Sequence, residues 1–429
     1  MTSVLFFIAI CMFGYALVQR RLNTTPITGP MIFVALGLLA GSSGLGIIEA
    51  GPDDVTTIVD LVFQATLILV LFTDASALRF SSWRQDAALP GRLLGIGLPL
   101  TIAAGAVAAA LLFTDLNVWE AAIIGAIVAP TDAALGQAVI SNPRVPERVR
   151  QALDVESGLN DGVSLPFVLI FIGLAQQSQG TGVVTTFLTE IGVAVAVGVV
   201  VGWVGGFLLV KTSDMGWTGA AWSSLAVIAI AATAFIGADV WGGSGFIATF
   251  VAGLTYGGTT RGRIAANEAL AANLGGGMVQ VSFLLFGALV LQPALGAMTW
   301  QVLLMAVLAL TIIRMGPVAL SMIGTGSSGP TLLYLGWFGP RGLATIVFAA
   351  LVVTDADLSG TQTIVSVAAV TVGLSVLVHG VTAYPGSQRY ADWVAARDDP
   401  SSLPEAQPVH QHRFRSRVHQ RPLLPRPKS

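Results

Sequence analysis

Charge is scarce in this chain. Of its 429 residues only 10% are Asp, Glu, Lys or Arg, whereas about a quarter of a soluble globular protein is charged. Lysine occurs twice, as Lys211 and Lys428, and neither sits in the glycine-rich Gly-Lys-Ser/Thr loop that cradles phosphates. No polar stretch is longer than the last 45 residues, Pro385 to Ser429. That is too little for a nucleotide-driven motor domain, so a primary pump within this chain is excluded. One cysteine, Cys11, rules out an intrachain disulfide. Basic residues are missing ahead of the first apolar run, which starts at Val4 and is followed by Arg20 and Arg21. This order is the reverse of a secretory signal and predicts a retained first span.

What fills the chain is apolar: 54% of residues are hydrophobic and the mean hydropathy is +0.79. At about 20 apolar residues per span, a dozen or more spans fit. Thirteen runs are predicted to be helices, at roughly 4–18, 27–48, 55–78, 87–114, 118–140, 151–175, 183–210, 220–238, 243–256, 269–291, 300–323, 331–353 and 363–383. The eighth and ninth are short as a pair. Charge placement supports keeping both. Nineteen of the 21 Lys and Arg fall in odd-numbered connections or the tail, and the even-numbered connections instead carry acids such as Glu49, Asp53, Asp115, Asp239 and Asp355. Basic loops stay cytoplasmic, so the N-terminus is expected outside and the C-terminus inside. The expected organisation is an all-α, multi-pass cell-membrane domain over 1–384, followed by a basic, disordered cytoplasmic tail over 385–429.

The two remaining basic residues, Arg314 and Arg341, lie within spans, as do Asp74, Asp132, Asp154, Glu156 and Asp161. Ionisable groups at membrane depth are costly and commonly line ion or proton pathways. Span 5 contains Pro130-Thr131-Asp132. A proline there removes a backbone donor and clashes with the preceding turn, and an acid beside the freed carbonyls suits a cation site on a broken helix. In span 6, Ser157 and Asp161 are four apart and share one helix face, whereas Glu156 and Asn160 share the next. The first face offers oxygens to a hard cation; the second suits an arginine, and Arg314 is paired with it. Span 12 carries Gly339-Pro340-Arg341-Gly342, a second helix breaker. Its offset of seven spans from span 5 inverts orientation, the pattern of an inverted-repeat secondary transporter. Gly198 and Gly202 predict close helix packing. His379 is read as a packing residue.

Together Pro130-Thr131-Asp132, Glu156-Ser-Gly-Leu-Asn160-Asp161-Gly162, Gly243-Ser244-Gly245-Phe246, Arg314 and Gly339-Pro340-Arg341-Gly342 resemble the monovalent cation:proton antiporter family, in its sodium/proton exchanger branch, from about span 1 to span 13. The resemblance implies inverted repeats with two interrupted, crossed helices. It implies that Asp161 binds the cation and the proton in turn, with Asp132, Ser157 and Thr131 completing the cation's shell and Asp74 a further ligand. Glu156 and Arg314 would form a structural ion pair supported by Asn160. It also implies a homodimer and, with Asn-Asp at 160–161, electroneutral exchange of one cation for one proton. Two departures stand out: Ala133 follows Asp132 where many members have proline, and Asp74 sits in Phe72-Thr-Asp-Ala-Ser76 rather than a Phe-Glu-Gly-Gly-like string.

The expectation is therefore a secondary antiporter exchanging Na⁺, with Li⁺ or K⁺ as alternatives, for H⁺. No cofactor and no nucleic acid are expected; the surrounding partner is membrane lipid. A passive cation channel is the competing transport reading. An intramembrane serine protease using Ser244 of Gly-Gly-Ser-Gly with His379 is the competing enzyme, and it leaves Asp132, Asp161 and Arg314 without a role.

Overall fold

The computed structural model describes residues 2–22, 25–48, 52–78, 88–176, 183–260, 268–355, 358–397 and 403–407. Among these there is no β-strand. Each of the thirteen apolar runs is occupied by a helix or by two half-helices. They are α1 (Thr2–Leu22), α2 (Gly29–Ala40), α3 (Pro52–Ala77), α4 (Ala88–Leu112), α5a (Val118–Ile127) with α5b (Gln137–Ile140), α6 (Glu147–Gln176) and α7 (Val183–Asp214). Then follow α8 (Ala220–Val240), α9 (Gly245–Thr260), α10 (Ala269–Gly296), α11 (Trp300–Ser321), α12a (Gly329–Trp337) with α12b (Leu343–Asp355) and α13 (Thr361–Ala395). Eight of these are apolar and long enough to cross a membrane unaided.

Local sequence explains the starts and stops. Asn117 and Glu120 form a reciprocal capping box at the start of α5a, satisfying amides that a helix N-terminus leaves free. Ser328 caps α12a, with Pro330 in the first turn, where a missing N–H does no harm. The short eighth and ninth runs are two helices. Gly242, at φ +75, closes α8, and Gly243 donates back to Ala238 O at 2.8 Å. Positive φ at a helix end is cheap only for glycine.

Lipid supplies no hydrophobic force between helices, so close backbone packing has to hold them. Gly198 and Gly202 do this as predicted. A Cβ on Gly198 would come within 2.5 Å of Ala248 O, and one on Gly202 within 2.8 Å of Ala252 Cα, which seats α7 on α9. The packing divides the helices into two groups, α1–α3 with α7–α10 and α4–α6 with α11–α13. The second group takes three consecutive helices from each half of the chain, and the first takes three from one half and four from the other. Trp222 and Trp241 are exposed at opposite ends of α8, positions that suit the two membrane interfaces.

One boundary differs from expectation. The tail was expected to begin at Pro385, but α13 continues through it to Ala395. Packing overrides the proline. Tyr390 stacks on Tyr334 with ring centroids 4.3 Å apart, and Ser387 lies 3.0 Å from the Tyr334 hydroxyl. A further piece of the expected tail, Leu403–Gln407, also packs on the helices: Arg148 of α6 donates to Pro404 O at 2.7 Å. The expected disorder of 408–429 lies outside the described residues.

Candidate ion-binding site

Spans 5 and 12 are interrupted where their prolines predict, and the two breaks meet. Asp132 N–H donates to Pro340 O at 2.8 Å. The Thr345 hydroxyl donates to Ile127 O at 3.0 Å, taking a carbonyl orphaned at the end of α5a. Asp132 then uses both carboxylate oxygens on backbone: Oδ1 accepts from Ala134 N at 2.7 Å and Oδ2 from Leu343 N at 2.9 Å. An anion at the start of α12b meets the positive end of the helix dipole. Gly342 makes this possible, because a Cβ there would overlap Asp132 Oδ2.

Arg341 is the counterpart. It is fully buried, and its guanidinium donates to Gly339 O at 2.5 Å and to Ala309 O at 3.4 Å. Gly339 lies two residues past the end of α12a, and Ala309 lies in the last turn of Trp300–Leu310, where α11 is interrupted at Thr311; a cation is favoured at such C-terminal ends. Ser375 Oγ accepts from Arg341 N at 2.7 Å.

Beside the crossing runs α6. Arg314 grips Glu156 with both terminal nitrogens, Nη1 on Oε1 and Nη2 on Oε2, the latter at 2.8 Å. Both residues are 2% exposed, so this is the buried pair that the sequence suggests. Gly339 is small for a reason, since a Cβ there would overlap Arg314 Nε. Asn160 points elsewhere: its Nδ2 donates to Thr131 Oγ1 at 2.6 Å, and Thr131 Oγ1 is 3.0 Å from Ser157 Oγ. Asn160 thus ties α6 to the break in span 5 rather than to the arginine.

Asp161 is 8% exposed, and its Oδ1 is buried without a hydrogen-bond partner. It lies within electrostatic reach of Asp132. Asp74, on α3, is also 8% exposed and faces the same helix; a Cβ on Gly158 would sit 3.7 Å from its own. On the following turn Phe250 of α9 fills the space that a Gly162 side chain would need. The structure therefore gathers Asp74, Thr131, Asp132, Ser157, Asn160 and Asp161 around one stretch of α6. The protease pair is not assembled. Ser244 Oγ accepts from Ile247 N at 3.4 Å as the cap of α9, while His379 engages Ser375 and, at 2.9 Å, Trp337 O.

Three participants went unread in the sequence: Glu120, Thr345 and Ser164. Glu120 is 1% exposed and accepts from Gly360 N at 2.8 Å, pinning α5a to the start of α13. Ser164 carried a signal, since it falls on the Ser157–Asp161 face; Thr345 carried none.

Crossed half-helices with an acid at one centre, a cation at the other and an open carboxylate alongside define a secondary-transporter architecture. Residues 6–386 match the transmembrane sodium/hydrogen exchanger family, and the chain belongs to that family. It is 29% identical over 362 residues to the K⁺/H⁺ antiporter NhaP2 of Shewanella oneidensis, covering 82% of this chain and 61% of that protein. It is 26% identical over 382 residues to the Na⁺/H⁺ antiporter ApNhaP of Aphanothece halophytica, covering 83% and 68%. The fold resembles the sodium proton antiporter MjNhaP1 of Methanocaldococcus jannaschii, with a TM-score of 0.73 and 21% identity over 91% of this chain and 99% of that one. The chain thus spans 61% of the length of the NhaP2 relative.

Proposed function

We propose that this chain exchanges a monovalent cation for H⁺ at Asp161, with Na⁺ as the first candidate and K⁺ or Li⁺ as alternatives. The observation that carries the reading is the unpartnered Oδ1 of Asp161, buried beside Ser157 and Thr131 at the crossing. A carboxylate in that position accepts either a proton or a cation, and each displaces the other. Moving it empty through hydrocarbon is costly, which couples the two fluxes. The names of the relatives support both Na⁺ and K⁺ as cargo.

Electroneutral exchange fits the arrangement. Asp132 already accepts from two backbone amides, contacts that favour its carboxylate form, so Asp161 is the group taken to change occupancy. Asp74 completes the cation's surroundings from α3. The proposal includes a homodimer in the cell membrane with its N-terminus outside and C-terminus inside. Helix α1, whose Phe6, Phe13 and Leu17 point away from the rest of the chain, is available to lipid or to the second copy.

The test is acridine-dye dequenching in proteoliposomes, scanned over Na⁺, K⁺ and Li⁺ and over pH. Cation-driven proton movement that Asp161→Asn abolishes is expected. Cation flux without proton movement would instead indicate a channel. A voltage imposed by valinomycin should drive no sodium-dependent proton flux; a steady one overturns electroneutrality.

A further inference from the structure

Three buried oxygens without hydrogen-bond partners fall within five residues of α6: Asn160 Oδ1, Asp161 Oδ1 and Ser164 Oγ. Helical spacing places Ser164 beside both of the others, three residues from Asp161 and four from Asn160. It is also seven residues from Ser157, two turns along the same stripe. The stripe then changes character. Its next positions are Val168, fully buried, and Ile172, 5% exposed, so the polar run that begins at Ser157 ends at Ser164.

A hydroxyl inside a membrane helix normally donates to the carbonyl four residues back. Thr66, Thr101, Thr249 and Ser387 all do so here, at 2.6–2.8 Å. Ser164 does not, although it is fully buried. An unmade bond at a buried hydroxyl costs stability. The expected cation shell, meanwhile, draws less on Asp132, because one lone pair of each of its oxygens is already given to Ala134 and Leu343. Hard cations need several oxygen ligands.

We infer that Ser164 is a ligand of the transported cation, forming with Asp161 and Asn160 a half-shell of oxygens on one turn of α6, and that it helps set which cation is carried. This deepens the antiport reading and rests on it.

Ser164→Ala separates the ligand from a structural role. In the purified full-length protein without cation, removing an unpaired hydroxyl should leave the unfolding temperature unchanged or raise it. The rise in unfolding temperature on adding Na⁺, K⁺ or Li⁺ should shrink. In proteoliposomes the KM for at least one cation should increase several-fold with little change in kcat, and the Na⁺-to-K⁺ preference should shift. Ser164→Thr, which restores a hydroxyl, should recover cation affinity. If Ser164→Ala keeps the wild-type KM values and the wild-type cation-dependent shift, Ser164 holds a trapped water and the inference fails. If the wild type moves no protons with any cation, the antiport reading fails instead, and the cation-dependent unfolding shift still tests Ser164 as a ligand.

Discussion

Glu156 and Asp161 lie five residues apart on α6, both at least 92% buried, and they meet opposite surroundings. Both oxygens of Glu156 are held by Arg314, whereas Asp161 leaves Oδ1 without a partner. A hundred degrees of rotation per residue is enough to separate the two. Glu156 faces α11 and the break in span 12; Asp161 shares its face with Ser157, toward the break in span 5. Burial alone therefore does not distinguish the acid that anchors the crossing from the one proposed as the exchange site. The partner does. One carboxylate is closed by a bidentate cation and anchors the crossing, and the other stays open to a ligand.

The largest effect expected comes from breaking the closed pair. Arg314→Ala leaves a buried, uncompensated carboxylate, a change that typically costs about 3–5 kcal/mol. Adding Glu156→Gln should recover part of that loss, measured by thermal unfolding in detergent. A double variant no more stable than Arg314→Ala would show that Glu156 does not depend on the arginine.

Gly339 and Gly342 sharpen the same contrast, because each abuts one of the two charge systems. Gly339→Ala pushes on Arg314 and Gly342→Ala on Asp132; overpacking of this kind costs about 1–3 kcal/mol. Gly339→Ala should lose most of its penalty when Arg314 and Glu156 are already replaced. Gly342→Ala should keep its full penalty in that background and should also depress exchange, since it displaces the cap on α12b. Equal penalties in both backgrounds would mean that the two systems are one.

Asp161→Asn should change stability by less than about 1 kcal/mol, since no hydrogen bond of Oδ1 is lost. Exchange should nevertheless disappear. A variant that unfolds as readily as Arg314→Ala would place Asp161 among the structural acids and dissolve the comparison.

Much of this architecture was legible beforehand. Apolar runs and two proline-centred breakers are local signals, and both survive in the helices observed; the parity of basic residues called for two helices in the eighth and ninth runs, and two are there. The partition of α6 into two faces follows from helical period alone, so the pairing of Glu156 with Arg314 could be reached across 158 residues. Contacts between distant backbones could not. Asp132 has an acidic side chain in a broken span, which reads as an ion ligand; its bond to Leu343 N spans 211 residues and has no sequence signature. Pro385 was misleading for the related reason that a proline's local cost was outweighed by Tyr334 and Tyr390 stacking across helices.

The last effect, confined to stability, concerns a third buried carboxylate, on the cytoplasmic side of the proposed topology, whose Oε1 is met by neutral donors. Glu405 is 1% exposed, and three groups at the start of α12a converge on its Oε1. They are the Ser328 N–H at 3.3 Å and the hydroxyls of Ser328 and Thr331, each at 2.5 Å. Burial pushes the Glu405 carboxyl up, but the Ser328 and Thr331 hydrogen bonds outweigh it and hold the group below the ordinary glutamate value. A group whose folded pKa is depressed adds stability above its unfolded pKa, about 4.3 for glutamate, and that contribution fades as pH falls through the folded value. Docking of Leu403–Gln407 should therefore be indifferent to pH from neutral down to about 5 and weaken only in more acidic solution. Glu405→Gln replaces charge-assisted bonds with neutral ones, which should cost about 1 kcal/mol at neutral pH. Its unfolding temperature should converge on that of the wild type as both are taken below about pH 4. Because Glu405 is met by neutral groups where Glu156 is met by an arginine, its loss should be the smaller of the two. A deficit that stays constant into the acid range would mean that the carboxylate charge contributes nothing to seating this segment on α12a.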